Sequence, residues 1–493
     1  MIMLAATLAA IAIVTQDSVP LRAAPRDSTP QQAVLWQGDS LEIRGTKGDF
    51  LQVYDHRRER AGYVRMTQVR KQSLTPADAP ELMAVVRFLR DTPGAEALGT
   101  SYAAAYLRAA PAEAIDGEIF DALGTFADRL ARRASSRQVA AGDGAAATRP
   151  GKAGDAALAA HLEVVAHYGI GMTSFDLGGQ VRICYNGDAF RRVLALPATD
   201  VQKAEAALAL TRHECVAPNL TPLERFNVDN WRAEVLERAR TQDLPGVLKN
   251  RLHLRKAGVL ASLAFQHARR PESGAEKSRE AAEHAIDELA AVDKSALMET
   301  DISAVNDAAV RVGASRWAAE PSPPAKSGKP TKPAKLAIRT TAGQPGETCI
   351  HLVDAKHGED APLLTRCTYS VVWSNSATVA ADGNALALAV QPMDTWREMW
   401  VFKNGPQGWH VDVLPPAPDN PGLGYVEFAG WVPGSKEMLA VREARVEGRF
   451  KQSFEVLDIG TLATRKQADK PNNLSTFYRW QSPVWKAGTV ALR

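Results

Sequence analysis

The chain has 493 residues, of which 45% are hydrophobic and 23% charged, and a net charge of +3 at pH 7. That length allows roughly two to four globular domains with sizeable cores. The charge is too small to argue for a nucleic-acid or membrane-surface partner.

The first fourteen residues, Met1 to Val14, are apolar apart from Thr7. This run falls short of the ~20 residues that a spanning helix needs, so no integral membrane segment is expected. Its length suits a secretory signal peptide over 1–12, with Ala10-Ile11-Ala12 as a small-x-small cleavage site. No Lys or Arg precedes the run, the first being Arg22. The competing reading makes Ile11 to Thr15 the first strand of the segment that follows.

From Val14 to Arg70 the chain consists of short apolar pieces punctuated by Gly and Asp: Val19 to Pro25, Leu35 to Ile43, Gly48 to Tyr54, and Gly62 to Val64. Alternation within them (Leu41 and Ile43, Leu51 and Val53) predicts a small half-buried β-barrel over 14–70. These residues resemble the bacterial SH3-like domain of envelope and secreted proteins, over about the first seventy residues. The resemblance implies a barrel that binds peptidoglycan or a peptide, with Trp36, Tyr54 and Tyr63 as the aromatics to test.

A helical domain is predicted over 76–319. Leu82, Val85, Val86 and Leu89 form one helical stripe, ended by Pro93-Gly94. Leu98, Tyr102, Ala105 and Tyr106 mark a second helix, and Ile115, Ile119, Leu123, Phe126 and Leu130 a third. Residues 134–155, rich in Ala, Gly, Ser and charge, read as a flexible insertion. Gly178-Gly179 marks a short strand or turn between Gly169 and Gly187, ahead of a helical pair at 189–196 and 201–212. Thr221-Pro222-Leu223-Glu224 is a helix start, with the N-cap, Pro and Glu in their usual places. Leu248, Leu252, Val259 and Leu263 share a later helical face.

Residues 320–335 hold five prolines and four lysines and read as a semi-rigid spacer. Lys326, Lys329, Lys332 and Lys335 recur with the three-residue period of polyproline II, so a basic rail for an anionic polymer is the sharper alternative. From 336 to 493 the chain reads as β throughout. The stretches Val379 to Leu388 and Trp431 to Val441 both run strand, tight turn, apolar strand, and each is followed by a further strand pair. This order resembles blades of TolB-like β-propellers, with Trp485 and Thr489 to Leu492 opening a third copy. A compact sandwich is the alternative. The fold class expected is multidomain α+β, with a barrel, an all-α middle and an all-β end.

Four cysteines fall as two local pairs, Cys184 with Cys215 and Cys349 with Cys367. Neither has Cys-x-x-Cys spacing, and local bridging predicts an oxidising compartment, periplasmic or secreted. Cys349, His351 and Cys367, with His357 as a fourth ligand, are the zinc alternative, though a cross-strand disulfide uses the same placement. His213-Glu214-Cys215 lacks the geometry of a nucleophile and its base, since helical neighbours point about 100° apart. His161 and His167, six apart on a helix, do not share a face. Trp373, Trp396, Trp400, Trp409, Trp431, Trp480 and Trp485 crowd the last third and suit a β-domain core better than a ligand platform.

The chain lacks zincin, nucleophile-elbow, P-loop and Gly-x-Gly-x-x-Gly motifs. The reading is an exported, non-enzymatic cell-envelope protein with no cofactor, whose partners are peptidoglycan or envelope proteins. The alternative is a cell-wall hydrolase targeted by the SH3-like domain.

Overall fold

The computed structural model describes residues 10–142, 152–177, 180–270, 274–320, 336–418 and 422–490. Most of the residues read as leader (1–9) and nearly all of the Pro/Lys spacer (321–335) lie outside the described residues. The chain divides into two compact units, Met1–Leu220 with Val235–Arg240, and Thr221–Glu234 with Thr241–Arg493.

The first unit begins with seven strands: β1 (Ala10–Val14), β2 (Val19–Arg22), β3 (Gln31–Leu35), β4 (Ser40–Lys47), β5 (Phe50–Asp55), β6 (Arg60–Arg65) and β7 (Val69–Ser73). They pair in the order β3-β2-β6-β5-β4-β1-β7, and the two ends do not pair with each other. The closed barrel expected is therefore an open antiparallel sheet, joined between β2 and β6 by the single partner pair Arg22 and Tyr63. Its inward residues, among them Val19, Leu21, Leu41, Leu51, Val53 and Val64, gather in one apolar cluster.

Strand β1 lies between β4 and β7 and is buried on both faces. Ala12 and Val14 join the sheet's own core, while Ile11 and Ile13 join a helical cluster. Ala10 to Ala12, expected to end a leader, are thus strand residues, and cleavage after Ala12 would remove most of β1.

Six helices follow: α1 (Ala79–Arg90), α2 (Glu96–Ala109), α3 (Gly117–Gly142), α4 (Lys152–His167), α5 (Asp188–Ala195) and α6 (Asp200–Leu210). A hairpin of β8 (Met172–Leu177) and β9 (Gln180–Tyr185) interrupts them where Gly178-Gly179 predicted a turn. The expected stripe residues Leu82, Val86, Leu89, Tyr102, Tyr106, Ile119, Leu123 and Phe126 are buried together. The expected insertion is shorter than 134–155, because α3 continues to Gly142 and α4 starts at Lys152; Ala and Arg there are strong helix formers. At the turn before β4, Gly38 takes φ +92°, and a Cβ there would stand 2.5 Å from the Ala97 carbonyl oxygen. Only glycine lets that turn approach α2 so closely.

In the second unit come α7 (Pro222–Glu237, whose first part it holds), α8 (Gly246–Ala268), α9 (Gly274–Ala290) and α10 (Ile302–Ser315). Thr221 and Glu224 cap α7 reciprocally, as expected. Helices α8 to α10 meet through small residues, Ala257, Ala261, Ala285, Ala308 and Ala309.

Strands β10 (Ala337–Ala342), β11 (Thr348–Val353) and β12 (Leu364–Thr368) form a three-stranded sheet. Two four-stranded antiparallel meanders follow. The first is β13 (Val371–Val379), β14 (Ala385–Met393), β15 (Trp396–Gly405) and β16 (Gly408–Leu414). The second is β17 (Gly424–Trp431), β18 (Glu437–Val446), β19 (Arg449–Asp458) and β20 (Thr464–Ala468). Two parallel partner pairs, Trp396 with Gly424 and Arg397 with Tyr425, join the meanders into one sheet.

Strand alternation buries both faces of each meander. Leu386, Leu388, Trp400 and Phe402 face the three-stranded sheet. Ala387, Met399 and Val401 meet Val426, Met438 and Ala440 of the second meander. Leu439, Val441, Phe454 and Val456 are covered by Phe477 of α11 (Ser475–Trp480) and Trp485 of α12 (Pro483–Val490). These two helices correct the expectation of β structure throughout, and α12 stands where a third strand copy was expected.

The helical domain expected over 76–319 is not one body, since α8 to α10 belong with the C-terminal strands. Val310 and Ala314 of α10 pack against Leu423 and Tyr425, so the sheet is their partner.

Candidate functional site

The three aromatics proposed from the sequence are not brought together. Register pairs Tyr54 with Ala61 and Gln52 with Tyr63, which makes Tyr54 and Tyr63 diagonal neighbours on the outer face of β5 and β6. Arg44 lies 4.2 Å over the Tyr54 ring, and His56 meets that ring edge-on at 4.8 Å. Trp36 is elsewhere. It packs against the cluster of Ala97, Leu130, Leu158 and Val164, a structural role that removes it from a shared aromatic face.

Both cysteine pairs are bridged. Cys184 of β9 reaches Cys215, which ends a short 3₁₀ turn after α6, so the α5–α6 hairpin is closed as the sequence predicts. That bridge occupies the thiol of His213-Glu214-Cys215. Cys349 and Cys367 are direct partners across β11 and β12. His351 follows on the same face of β11 but is engaged elsewhere: its ring nitrogens hydrogen-bond with Thr341 and Thr365 at 2.8 and 3.0 Å. His357 pairs instead with Asp354. His161 hydrogen-bonds to Asp17 at 2.8 Å without His167.

A large groove lies in the second unit, where turns of both meanders converge. The Ala380–Ala385 and Val432–Glu437 turns share one hydrogen-bond frame: Ala380 N–H donates to Ala385 O at 2.8 Å, and Val432 N–H to Glu437 O at 3.1 Å. With the β15–β16 turn and the start of the β19–β20 turn, they enclose about 930 Å³ lined by Asp382, Asn384, His410, Trp431, Lys436 and Glu437. Lys403 braces this end. Its buried ammonium pairs with Asp412 at 2.5 Å and donates to the carbonyls of Ile459 and Gly460, which ties the first meander to the second. Trp431 packs on Phe428 at 4.7 Å, and its indole N–H has no partner among the described residues. An aromatic residue at the wall and side chains of both charges can recognise a ligand that is part apolar and part polar.

Comparison with protein-family models, curated proteins and solved structures finds no match to this chain. Sequence reasoning missed the groove, whose only trace was the paired turns; Trp431, read as core, does pack against the cluster of Ala387, Met399 and Met438 beside it.

It also missed two buried ionic networks in the second unit. Asp229 accepts from Arg225 at 2.8 Å, Arg232 at 2.7 Å and Ser262 at 2.6 Å, and Asp394 accepts from Arg225 at 2.7 Å. Burial pushes the Asp229 carboxyl up, but Arg232 and Arg225 outweigh it and hold the group below the usual carboxylate range. Ser262 Oγ lies between the two carboxylates, 2.6 Å from Asp229 and 2.9 Å from Asp394. In the second network, Glu427 accepts from Arg316 at 3.0 Å and from Arg397. There too the two arginines overcome burial and keep the carboxyl low. Both networks join helices to the sheet, a structural task.

Proposed function

We propose that this chain is an exported, non-enzymatic protein of the cell envelope that binds peptidoglycan, chiefly in the groove over Trp431 and secondarily on the Tyr54–Tyr63 face. The groove is the observation that carries this reading. Its aromatic face suits a sugar ring, while Lys436, Asp382 and Glu437 suit the carboxylates and amines of a cell-wall peptide.

Two disulfides support an oxidising compartment, and among the described residues no helix is long and apolar enough to cross a membrane. The N-terminal resemblance to SH3-like domains of envelope proteins supports the same ligand class. Two stacked four-stranded meanders suit the resemblance to TolB-like blades, and with it envelope-protein partners.

The full chain should co-sediment with purified cell-wall sacculi and release no fragments detectable by mass analysis. Trp431→Ala should weaken retention about tenfold or more, as loss of a central aromatic contact does, and Tyr63→Ala less. Protein that stays in the supernatant would sink the proposal, and accumulating fragments would replace it with the hydrolase.

A further inference from the structure

The turn between β10 and β11 brings a carboxylate to the Cys349–Cys367 bridge. Glu347, Cys349 and Cys367 place one carboxylate oxygen and both sulfurs within 4.8 Å of one another. Gly343 makes the room: a Cβ there would lie 2.5 Å from Glu347 Oε2 and 3.1 Å from Cys349 Sγ. The same Oε2 accepts the Gln344 N–H at 3.0 Å, which holds the carboxylate in position as the partners outside a metal's own ligands do. Cys349 is half-buried, and Cys367 is exposed on β12, an edge strand of its sheet, so a small thiol can reach the bridge.

We propose that Cys349, Cys367 and Glu347 form a zinc site that exists when the bridge is reduced. A dithiol reductant supplies two electrons and two protons; its sulfurs become a disulfide, the Cys349–Cys367 bond breaks, and two thiols form. Zinc then takes both thiolates and the Glu347 carboxylate, and the two thiol protons go to solvent. Tetrahedral zinc with Zn–S bonds of ~2.3 Å needs sulfurs roughly 3.8 Å apart, a separation that side-chain rotation provides once the covalent bond is gone. His351, held between Thr341 and Thr365, is not a ligand, so the fourth position is open to water or to a donor from a partner. This differs from the Cys349, His351, Cys367 and His357 set that sequence spacing suggests. It does not rest on peptidoglycan binding.

The test uses the full chain, oxidised and after reduction by a phosphine, titrated with Zn²⁺ against a chromophoric chelator and with Co²⁺. The reduced protein should bind one zinc per chain and show thiolate-to-cobalt charge transfer, while the oxidised protein binds none. Cys349→Ser should abolish binding, and Glu347→Gln should weaken it at least tenfold with the cobalt–thiolate band retained. Cys349→Ser retains the other cysteine pair when reduced, so zinc held there would place the metal at Cys184 and Cys215 and overturn the proposal. Absence of stoichiometric zinc in the reduced chain, in protein whose circular dichroism is unchanged, would overturn it too.

Discussion

Asp121 is almost fully enclosed, with Arg90 at 2.8 Å and one carboxylate oxygen without a partner among the described residues. Burial pushes its carboxyl up to about 6; Arg90 opposes that shift, and Glu205 and Glu118 add to it. Between pH ~4 and ~6 the folded chain holds a proton that the unfolded chain has lost, so stability falls as pH rises through that window. Above it the penalty is constant, at most roughly 3 kcal/mol for a shift of about two units. Asp121→Asn should remove this slope and gain stability at pH 7, since Arg90 keeps Glu205 at 3.0 Å. Denaturant midpoints of both proteins from pH 4 to 7 check it; a difference independent of pH would refute the assignment. None of this is legible in the sequence, where Asp121 is one more acidic residue on a helix.

At the scale of elements, the bridge across α5 and α6 gives the most direct test. Cys184 and Cys215 are 31 residues apart, and closing such a loop contributes ~3–4 kcal/mol on the chain-entropy model. Cys215→Ser should lower the stability of the first unit by about that amount and leave the second unit's unfolding transition in place. A shift in both transitions would count against two separately folding units. The periodic helices and the bridges were legible because 3.6-residue stripes and local cysteine pairs record local geometry. Strand β1 was legible only as the competing reading of Ile11 to Thr15, because a strand buried on both faces reads as a continuous apolar run, and so does a leader. Helices α11 and α12 were missed because their aromatics, Phe477 and Trp485, cover a sheet as strand residues would. The groove was half legible. The twin turns stand in the sequence, but their meeting depends on two parallel residue pairs between β15 and β17 that no local pattern records.

At the scale of the whole molecule, the composition of residues 320–335 suggested that the strands after it fold alone. The contacts argue otherwise. Beyond the packing of Val310 and Ala314 on Leu423 and Tyr425, Gln391 reaches Ser315 at 3.2 Å, and Asn375 reaches the Trp317 carbonyl at 2.8 Å. A fragment of residues 336–493 would lose these, along with Arg225 from Asp394 and Arg316 from Glu427. Removing the helices takes the cover from Leu423 and Tyr425, leaves Asp394 without its arginine, and leaves Glu427 with Arg397 alone. That fragment should therefore be unfolded or aggregated, with its apolar sheet face uncovered. The fragment 221–493, which keeps α7 to α10, should show near-ultraviolet circular dichroism and one cooperative unfolding transition. If 336–493 alone unfolds cooperatively at the same midpoint, the helices are passengers and the ionic joints contribute nothing to the fold.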